Sequence, residues 1–88
     1  MAVRRENLDS LYYRYSSSFS NDDLAELVAA ADRLVRHFAR LYTGGAAEDV
    51  MQAGREGLLK AVRRFDAGRG GAFSTYASHC IMGEIRHY

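Results

Sequence analysis

The stretch LAELVAAADRLVRHFARLY, residues 24–42, decides the fold class of this 88-residue chain. Its apolar residues recur every three or four positions, the spacing that places them along one side of an α-helix. Ser20 or Asn21 is suited to cap the start of this helix, and Gly44 or Gly45 to end it. We therefore predict a helix over residues 24–42 whose buried stripe consists of Leu24, Leu27, Val28, Ala31, Leu34, Val35, Phe38, Leu41 and Tyr42.

Three further segments are predicted to be helical, and the chain contains no proline that would interrupt them. Residues 4–15 form a short amphipathic helix, which the following serine-rich run should end. Residues 47–66 form the third helix, in which Gly54 and Gly57 predict the close approach of another helix. Residues 67–88 hold a glycine-rich turn and a fourth helix without a stop signal, as if cut short. The predicted fold is all-α, a compact bundle of about four helices in one domain.

Length, cysteine content and hydropathy restrict the class of protein. A chain of this size holds one modest hydrophobic core. Cys80 is the only cysteine, so no disulfide can form within the chain and a reducing compartment is expected. No apolar run approaches the roughly 20 residues that cross a bilayer, and the N-terminus lacks the apolar stretch of a signal peptide. These features predict a cytoplasmic protein without membrane contact.

The net charge of +1 conceals a difference between the two halves of the chain. Residues 1–50 carry six basic and eight acidic residues, whereas residues 51–88 carry six basic and three acidic ones. His79 and His87 can add positive charge to the second half. A basic segment rich in aromatic residues is compatible with a polyanionic partner, although solvated helix faces often show the same bias.

The third predicted helix carries a leucine on the side that should face water. At about 100° per residue, the buried stripe of this helix centres near Leu58. Leu59 falls on the other side, among polar residues. A single exposed leucine is common in soluble proteins, but a leucine ringed by polar side chains also resembles the centre of a protein-docking surface. The polar neighbours are Asp49, Gln52, Arg55, Glu56 and Arg63.

The segment GRGGAFSTYASHC, residues 68–80, leads from a basic, glycine-rich turn directly into two aromatic residues. Phe73 and Tyr76 could pack in the core, because they share a broad face of a helix that begins at residue 73. Arg69 and the glycine amides beside it, however, form a suitable environment for phosphate, and aromatic faces stack on unpaired bases. Two interpretations therefore stay open, core packing and a platform for nucleic-acid bases.

Metal binding and covalent catalysis are weaker interpretations of this half of the chain. Cys80, Glu84 and His87 share one helical face with His79 beside it, but their spacing is not that of a zinc site. No residue close in sequence would activate the Cys80 thiol, and a small bundle leaves little room for a closed active site. His37 borders the buried stripe and is interpreted as structural or surface. We predict no metal, no cofactor and no enzymatic activity.

The sequence EDVMQAGREGLLKAVRRFDAGRGGAFSTYASHCIMGEIRHY, residues 48–88, closely resembles region 2 of the bacterial RNA polymerase sigma factors of the sigma-70 family. The family pattern E-D-hydrophobic-hydrophobic-Q-x-G-x-x-G-L-x-x-A-hydrophobic-x-x-F-D is matched over residues 48–66, and R-G-x-x-F-S-T-Y-A over residues 69–77. The preceding ADRLVRHFARLY looks like the helix before them, so the resemblance covers about residues 24–88. The final IMGEIRHY is similar to the alternative branch of stress-response and sporulation factors.

The resemblance implies a role for both surfaces. In the family, the third helix docks on the coiled coil of the β′ subunit of core RNA polymerase, which implies a docking set of Asp49, Gln52, Arg55, Glu56 and Leu59. The following turn and fourth helix hold the melted non-template strand of the −10 promoter element and capture a flipped adenine. The implied DNA-binding set is Phe65, Asp66, Arg69, Phe73, Ser74, Thr75, Tyr76, His79, Gly83 and Arg86.

This sequence departs from the family pattern in residues that concern promoter melting. Housekeeping members carry two tryptophans at the positions of His79 and Cys80, and a further aromatic residue of the base pocket at the position of Gly71. The resemblance therefore implies weaker intrinsic melting, and it implies an anti-sigma factor as a partner. The alternative function is a helical protein-interaction module that keeps the docking face without contacting nucleic acid.

Overall fold

The computed structural model describes residues 5–88, with side chains from residue 8 onward, so that the first residue of the helix predicted over 4–15 lies outside it. Within residues 5–88 there is no strand, and the all-α prediction is confirmed. None of the helices in this range has the length and apolar character needed to cross a membrane. The four helices are α1 (Arg5–Ser18), α2 (Asn21–Thr43), α3 (Glu48–Arg64) and α4 (Phe73–Arg86), with a 3-10 turn at Ala67–Arg69.

Both ends of α2 are capped by residues that the sequence singled out. The Ser20 hydroxyl accepts a hydrogen bond from the Asp23 amide at 3.0 Å, which satisfies one of the free N–H groups of the first turn. At the other end, Gly44 adopts a φ of +80° and donates its N–H to the carbonyl of Arg40. These caps explain why α2 starts three residues earlier and ends one residue later than the predicted range 24–42.

Helix α1 extends three residues beyond its predicted end at residue 15, through the serines that were expected to break it. The hydroxyls of Ser16 and Ser17 donate to the carbonyl of Tyr13 at 2.9 and 3.1 Å, so they bond within the helix and do not compete with it. The helix ends at Ser18, before Phe19, whose φ of +52° lies in the left-handed region and whose N–H donates to the carbonyl of Tyr15. The serine run therefore continues the helix, and the turn lies at Phe19.

All four helices contribute to one hydrophobic core. The predicted stripe of α2 is buried or half-buried as far as Phe38, but Leu41 and Tyr42 at its C-terminal end are exposed, which corrects their assignment to the core. Tyr42 instead packs at the surface against α4, where its hydroxyl donates to the Met82 sulfur at 3.5 Å. The buried members of the core are Leu8, Leu27, Ala31, Val35, Ala39, Val50, Met51, Leu58, Ala61, Phe73, Ala77, Ile81 and Ile85.

Two glycines allow α3 to lie directly against its neighbours. A Cβ atom added at Gly57 would sit 2.5 Å from the carbonyl oxygen of Cys80 and 2.8 Å from Cα of Ile81, both in the backbone of α4. A Cβ added at Gly54 would sit 2.5 Å from Cγ1 of Val35 in α2. The prediction that these glycines mark close helix approach is confirmed, and α3–α4 is the most extensive helix contact of the bundle.

Candidate nucleic-acid interface

A groove of about 520 Å³ opens where the turn after α3 meets the first turns of α4. Residues from both segments line it, although they are separated in sequence by the glycine turn. Six of the ten predicted DNA-binding residues are in the lining, namely Phe65, Asp66, Arg69, Thr75, Tyr76 and His79. The remaining lining residues are Arg64, Gly70, Gly71 and Ala72.

The turn that shapes this groove is organised by one carboxylate and two glycines. The Oδ1 atom of Asp66 accepts a hydrogen bond from the Gly68 amide at 2.9 Å, and the carbonyl of Asp66 accepts one from the Arg69 amide at 3.1 Å. Gly70 and Gly71 then adopt φ values of +84° and +83°, which residues with a Cβ atom adopt only under strain. The glycines thereby bring the start of α4 back beside the end of α3.

Aromatic side chains form the inner wall of the groove. The rings of Phe65 and Tyr76 are half-buried, with centroids 5.7 Å apart and planes inclined by 39°. Behind them, the ring of Tyr12 from α1 meets Phe65 edge-on at 5.4 Å. Burial raises the pKa of the Tyr12 hydroxyl, and the nearby Tyr13 and Asp66 raise it further. The groove thus presents aromatic faces that are supported from behind and partly open to solvent.

Phe73 and Ser74 do not belong to this surface, which corrects their assignment to the DNA-binding set. The Phe73 ring is fully buried and stacks on Tyr12 with centroids 4.2 Å apart and planes 11° from parallel. Ser74 is 2% exposed, and both its amide and its hydroxyl point to the carboxylate of Asp9. The Phe73 ring has no exposed surface on which a base could stack, so core packing is the correct interpretation for Phe73.

Gly83 and Arg86 lie further along α4 and are absent from the lining of the groove. The Arg86 guanidinium lies over the ring of Tyr42, 5.7 Å from its centroid, at the end of α4 that is remote from the glycine turn. The structure therefore does not bring these two residues together with the other predicted DNA contacts. Their role as readers of the −10 sequence stays a prediction.

Two exposed arginines, Arg64 and Arg69, supply positive charge to the groove. The Arg69 side chain is 86% exposed, and its Nε atom lies 3.5 Å from a carboxylate oxygen of Asp66. Such a surface ion pair contributes little free energy and is screened by salt, so Arg69 can leave Asp66 for a phosphate at small cost. Arg64 and His79 are exposed at the rim of the same groove. The groove combines aromatic faces, a carboxylate acceptor and cationic groups.

The predicted docking residues lie along the outer side of α3. Asp49, Gln52 and Glu56 are exposed, and a hydrogen bond from the Tyr88 hydroxyl lowers the pKa of the Asp49 carboxyl. Leu59 is half-buried, which corrects the expectation that it faces water freely. Within the described part of the chain, Leu59 does not belong to the core cluster or to the hydrophobic residues packed against it. It remains an apolar residue at the surface of a polar helix face.

Arg55, the fifth predicted docking residue, forms an ion-pair network that joins α3 to α2. Its Nε and Nη2 atoms donate to the two carboxylate oxygens of Asp32 at 3.1 and 3.0 Å, and its Nη1 atom donates to Glu48 at 2.8 Å. These bonds, first to Asp32 and then to Glu48, raise the pKa of the guanidinium. Arg55 thus stabilises the bundle, a role that the sequence reasoning missed because no local pattern pairs it with Asp32.

The possible metal ligands of α4 are not assembled into a site. In the part of the chain that the structure describes, no three histidine, cysteine, aspartate or glutamate side chains lie close enough together to hold a metal ion. Glu84, one of the residues considered, instead forms an ion pair with Lys60 of α3. That pair adds an electrostatic contact to the close packing of α3 and α4.

The helical bundle and its aromatic groove define an all-α domain of the kind that the sequence motifs predicted. The chain matches the family model "Sigma-70 region 2" over residues 27–88, and it therefore belongs to that family. It is 44% identical over 60% of its length to an RNA polymerase sigma-28 factor of Bacillus thuringiensis subsp. kurstaki. It is also 38% identical over 81% of its length to the RNA polymerase sigma factor FliA of Pseudomonas aeruginosa.

A third relative matches a similar share of the chain. This is an RNA polymerase sigma-B factor of Bacillus anthracis, 34% identical over 82% of the chain. The chain spans 23%, 31% and 35% of the lengths of the three relatives, in the order given. The predicted relation to region 2 of the alternative sigma factors is confirmed.

Proposed function

We propose that this domain is part of a transcription initiation factor, which docks on core RNA polymerase and holds the melted −10 non-template strand of a promoter. Membership of the sigma-70 region 2 family supports the role in transcription initiation. The docking surface is the outer side of α3, and its partner is the coiled coil of the β′ subunit. Its place of action is the cytoplasm, where core polymerase works. An anti-sigma factor that inhibits the protein would act by covering the same residues of α3.

The observation that carries the proposal is the groove between the end of α3 and the start of α4. Phe65 and Tyr76 supply aromatic faces there, and stacking on such a face contributes about 1–3 kcal/mol per base. The Asp66 carboxylate only accepts hydrogen bonds, which suits the amino group of an adenine. Arg69 is placed to neutralise a phosphate next to the captured base.

The proposed role needs no bond chemistry from the domain. A base that leaves the duplex loses stacking and pairing worth a few kcal/mol, and binding in the groove offsets this loss. His79 lies at the rim, at a position where housekeeping factors carry a tryptophan, and offers a smaller aromatic surface for opening the duplex. The domain would therefore capture an opened strand better than it forces one open.

Replacing Tyr76 by alanine tests the stacking role. We expect the variant, bound to core polymerase, to lose about 1–3 kcal/mol of affinity for a single-stranded −10 oligonucleotide, because one stacking face is removed. The dependence of affinity on salt should not change, since no phosphate contact is lost. Fluorescence anisotropy over a salt series measures both quantities. Tyr15→Ala is the matched control, because Tyr15 is a half-buried tyrosine of α1 outside the groove.

Replacing Arg69 by alanine tests the phosphate contact. The variant should bind oligonucleotides of any sequence more weakly, and the slope of log affinity against log salt should flatten by about one unit. Arg14→Ala is the control, since Arg14 is an exposed arginine that pairs with Glu26 away from the groove. If the Tyr76 and Arg69 variants change affinity and slope alike, the groove does not stack bases. If the unaltered domain on core polymerase ignores −10 DNA, the alternative of a pure docking module holds.

A further inference from the structure

The first turn of α4 is capped by a side chain from the far end of the chain. The residue that precedes this helix, Ala72, has no polar side chain and makes no capping bond. Asp9 of α1 takes its place: its Oδ1 atom accepts the Ser74 amide at 2.8 Å, and its Oδ2 atom accepts the Ser74 hydroxyl at 3.3 Å. A carboxylate is favourable at a helix N-terminus, where unpaired N–H groups carry partial positive charge. The cap joins two residues that are 65 positions apart.

Helix α1, which carries Asp9, also supports the aromatic wall of the groove. Tyr12, three residues after Asp9, stacks on Phe73 and meets Phe65 edge-on. Phe73 and Ser74 immediately precede Thr75 and Tyr76, which line the groove. Helix α1 therefore holds the backbone from which the groove residues project, although none of its residues from Leu8 onward lines the groove.

We propose that Asp9 is a positioning residue for strand capture, which acts by fixing the first turn of α4 and with it the place of Tyr76. This inference rests on the proposed function of the groove. Leu8, the neighbour of Asp9, is buried in the core and holds α1 on the bundle by apolar contact. Loss of the Asp9 carboxylate should consequently loosen the start of α4 and leave α1 in place. The buried amide of Ser74 would then lack its partner, which favours a rearranged first turn.

The test compares two oligonucleotides and three variants of the chain, each bound to core polymerase. One single-stranded DNA carries the −10 sequence, and the other has an abasic site in place of the captured adenine. The ratio of the two affinities reports how well the groove holds the base. It is insensitive to the fraction of folded protein, because unfolding lowers both affinities by the same factor.

For Asp9→Ala we expect this ratio to fall by about tenfold, since misplacing Tyr76 removes most of the stacking contribution. For Asp9→Asn we expect a fall of about threefold, because the amide oxygen still accepts the Ser74 amide but without charge assistance. Val35→Ala is the control for stability alone, because Val35 is buried in α2, a helix that contributes no residue to the groove lining. It should weaken binding of both oligonucleotides equally and leave the ratio unchanged.

The outcomes separate this inference from the function on which it rests. If the unaltered chain binds the −10 oligonucleotide and its abasic counterpart with equal affinity, the proposed base capture itself is overturned. If the unaltered chain prefers the −10 oligonucleotide and the Asp9→Ala variant shows the same affinity ratio, only the role of Asp9 is overturned. If Asp9→Ala does not fold, Asp9→Asn decides the question, and an unchanged ratio in that variant overturns the inference.

Discussion

Replacing Gly57 by alanine is expected to lower the free energy of unfolding by about 3 kcal/mol, a large part of the stability of so small a domain. The new Cβ atom would sit 2.5 Å from the carbonyl oxygen of Cys80 and 2.8 Å from Cα of Ile81. These atoms belong to the backbone of α4, so a change of side-chain rotamer cannot relieve the clash, and the two helices must separate. The higher helix propensity of alanine, worth about 1 kcal/mol, offsets only part of this cost.

Gly83→Ala is the matched control for this prediction, since it makes the same change inside α4. A Cβ atom at Gly83 meets no atom of the described residues within 4 Å, and the variant should gain about 0.4–1 kcal/mol because alanine favours the helix. Urea titrations that compare the unfolding midpoints at a constant m-value measure both changes. A midpoint for Gly57→Ala at or above that of the unaltered chain would contradict the close approach of α3 and α4 at Gly57.

The periodic parts of the fold could be predicted from the sequence because local rules decide them. The apolar spacing of α2 and the cap at Ser20 depend on neighbours within a few residues, and both are found in the structure. Gly54 and Gly57 were informative because a glycine inside a helix has a cost that close packing explains. The serines after Tyr15 were misleading, since a hydroxyl can bond within a helix as well as interrupt it. The apolar spacing also extended the buried stripe of α2 too far, to Leu41 and Tyr42, which are exposed.

The candidate site was harder to predict, because residues distant in sequence decide which of its side chains are buried. Spacing alone places Phe73 and Tyr76 on the same broad face of α4, with no means to tell which is buried. The ring of Tyr12 makes the difference, because it covers Phe73 and leaves Tyr76 at the groove. The cap that Asp9 provides for Ser74 is similarly invisible to a local pattern. Family motifs pointed to the segment that lines the groove, but only the packing of α1 separates its core residues from its surface residues.

On the outer side of α3, a helical wheel likewise cannot show contacts with residues that are distant in sequence. It placed Leu59 away from the buried stripe but could not show that its neighbours cover half of it. It also placed Arg55 at the flank of the docking surface without the bonds to Asp32 that fix it. The structure shows Leu59 as a half-buried apolar residue and Arg55 as a side chain held by Asp32 and Glu48, and the part of both residues in docking stays a prediction.

Replacing Leu59 by aspartate is expected to weaken binding to core polymerase by about 100-fold, or about 3 kcal/mol. Leu59 is the apolar residue of a face on which Asp49, Gln52 and Glu56 are exposed. Apolar residues at the centre of such a face contribute most of the binding free energy once a partner excludes water from them. A carboxylate at this position would have to lose its water shell without gaining a partner, which is costly.

Leu41→Asp provides the matched control, because Leu41 is a 61% exposed leucine of α2 outside the predicted docking set. It introduces the same charge and should leave polymerase affinity unchanged, which separates a local effect on the α3 surface from a general effect of added charge. Anisotropy titration of labelled domain with core polymerase measures both affinities, and far-UV circular dichroism checks the fold. Because Leu59 is half-buried, its substitution should cost about 1 kcal/mol of stability but no helicity at low temperature. Equal affinities of the two variants would remove Leu59 from the docking surface, whereas loss of helicity in Leu59→Asp alone would place it in the core.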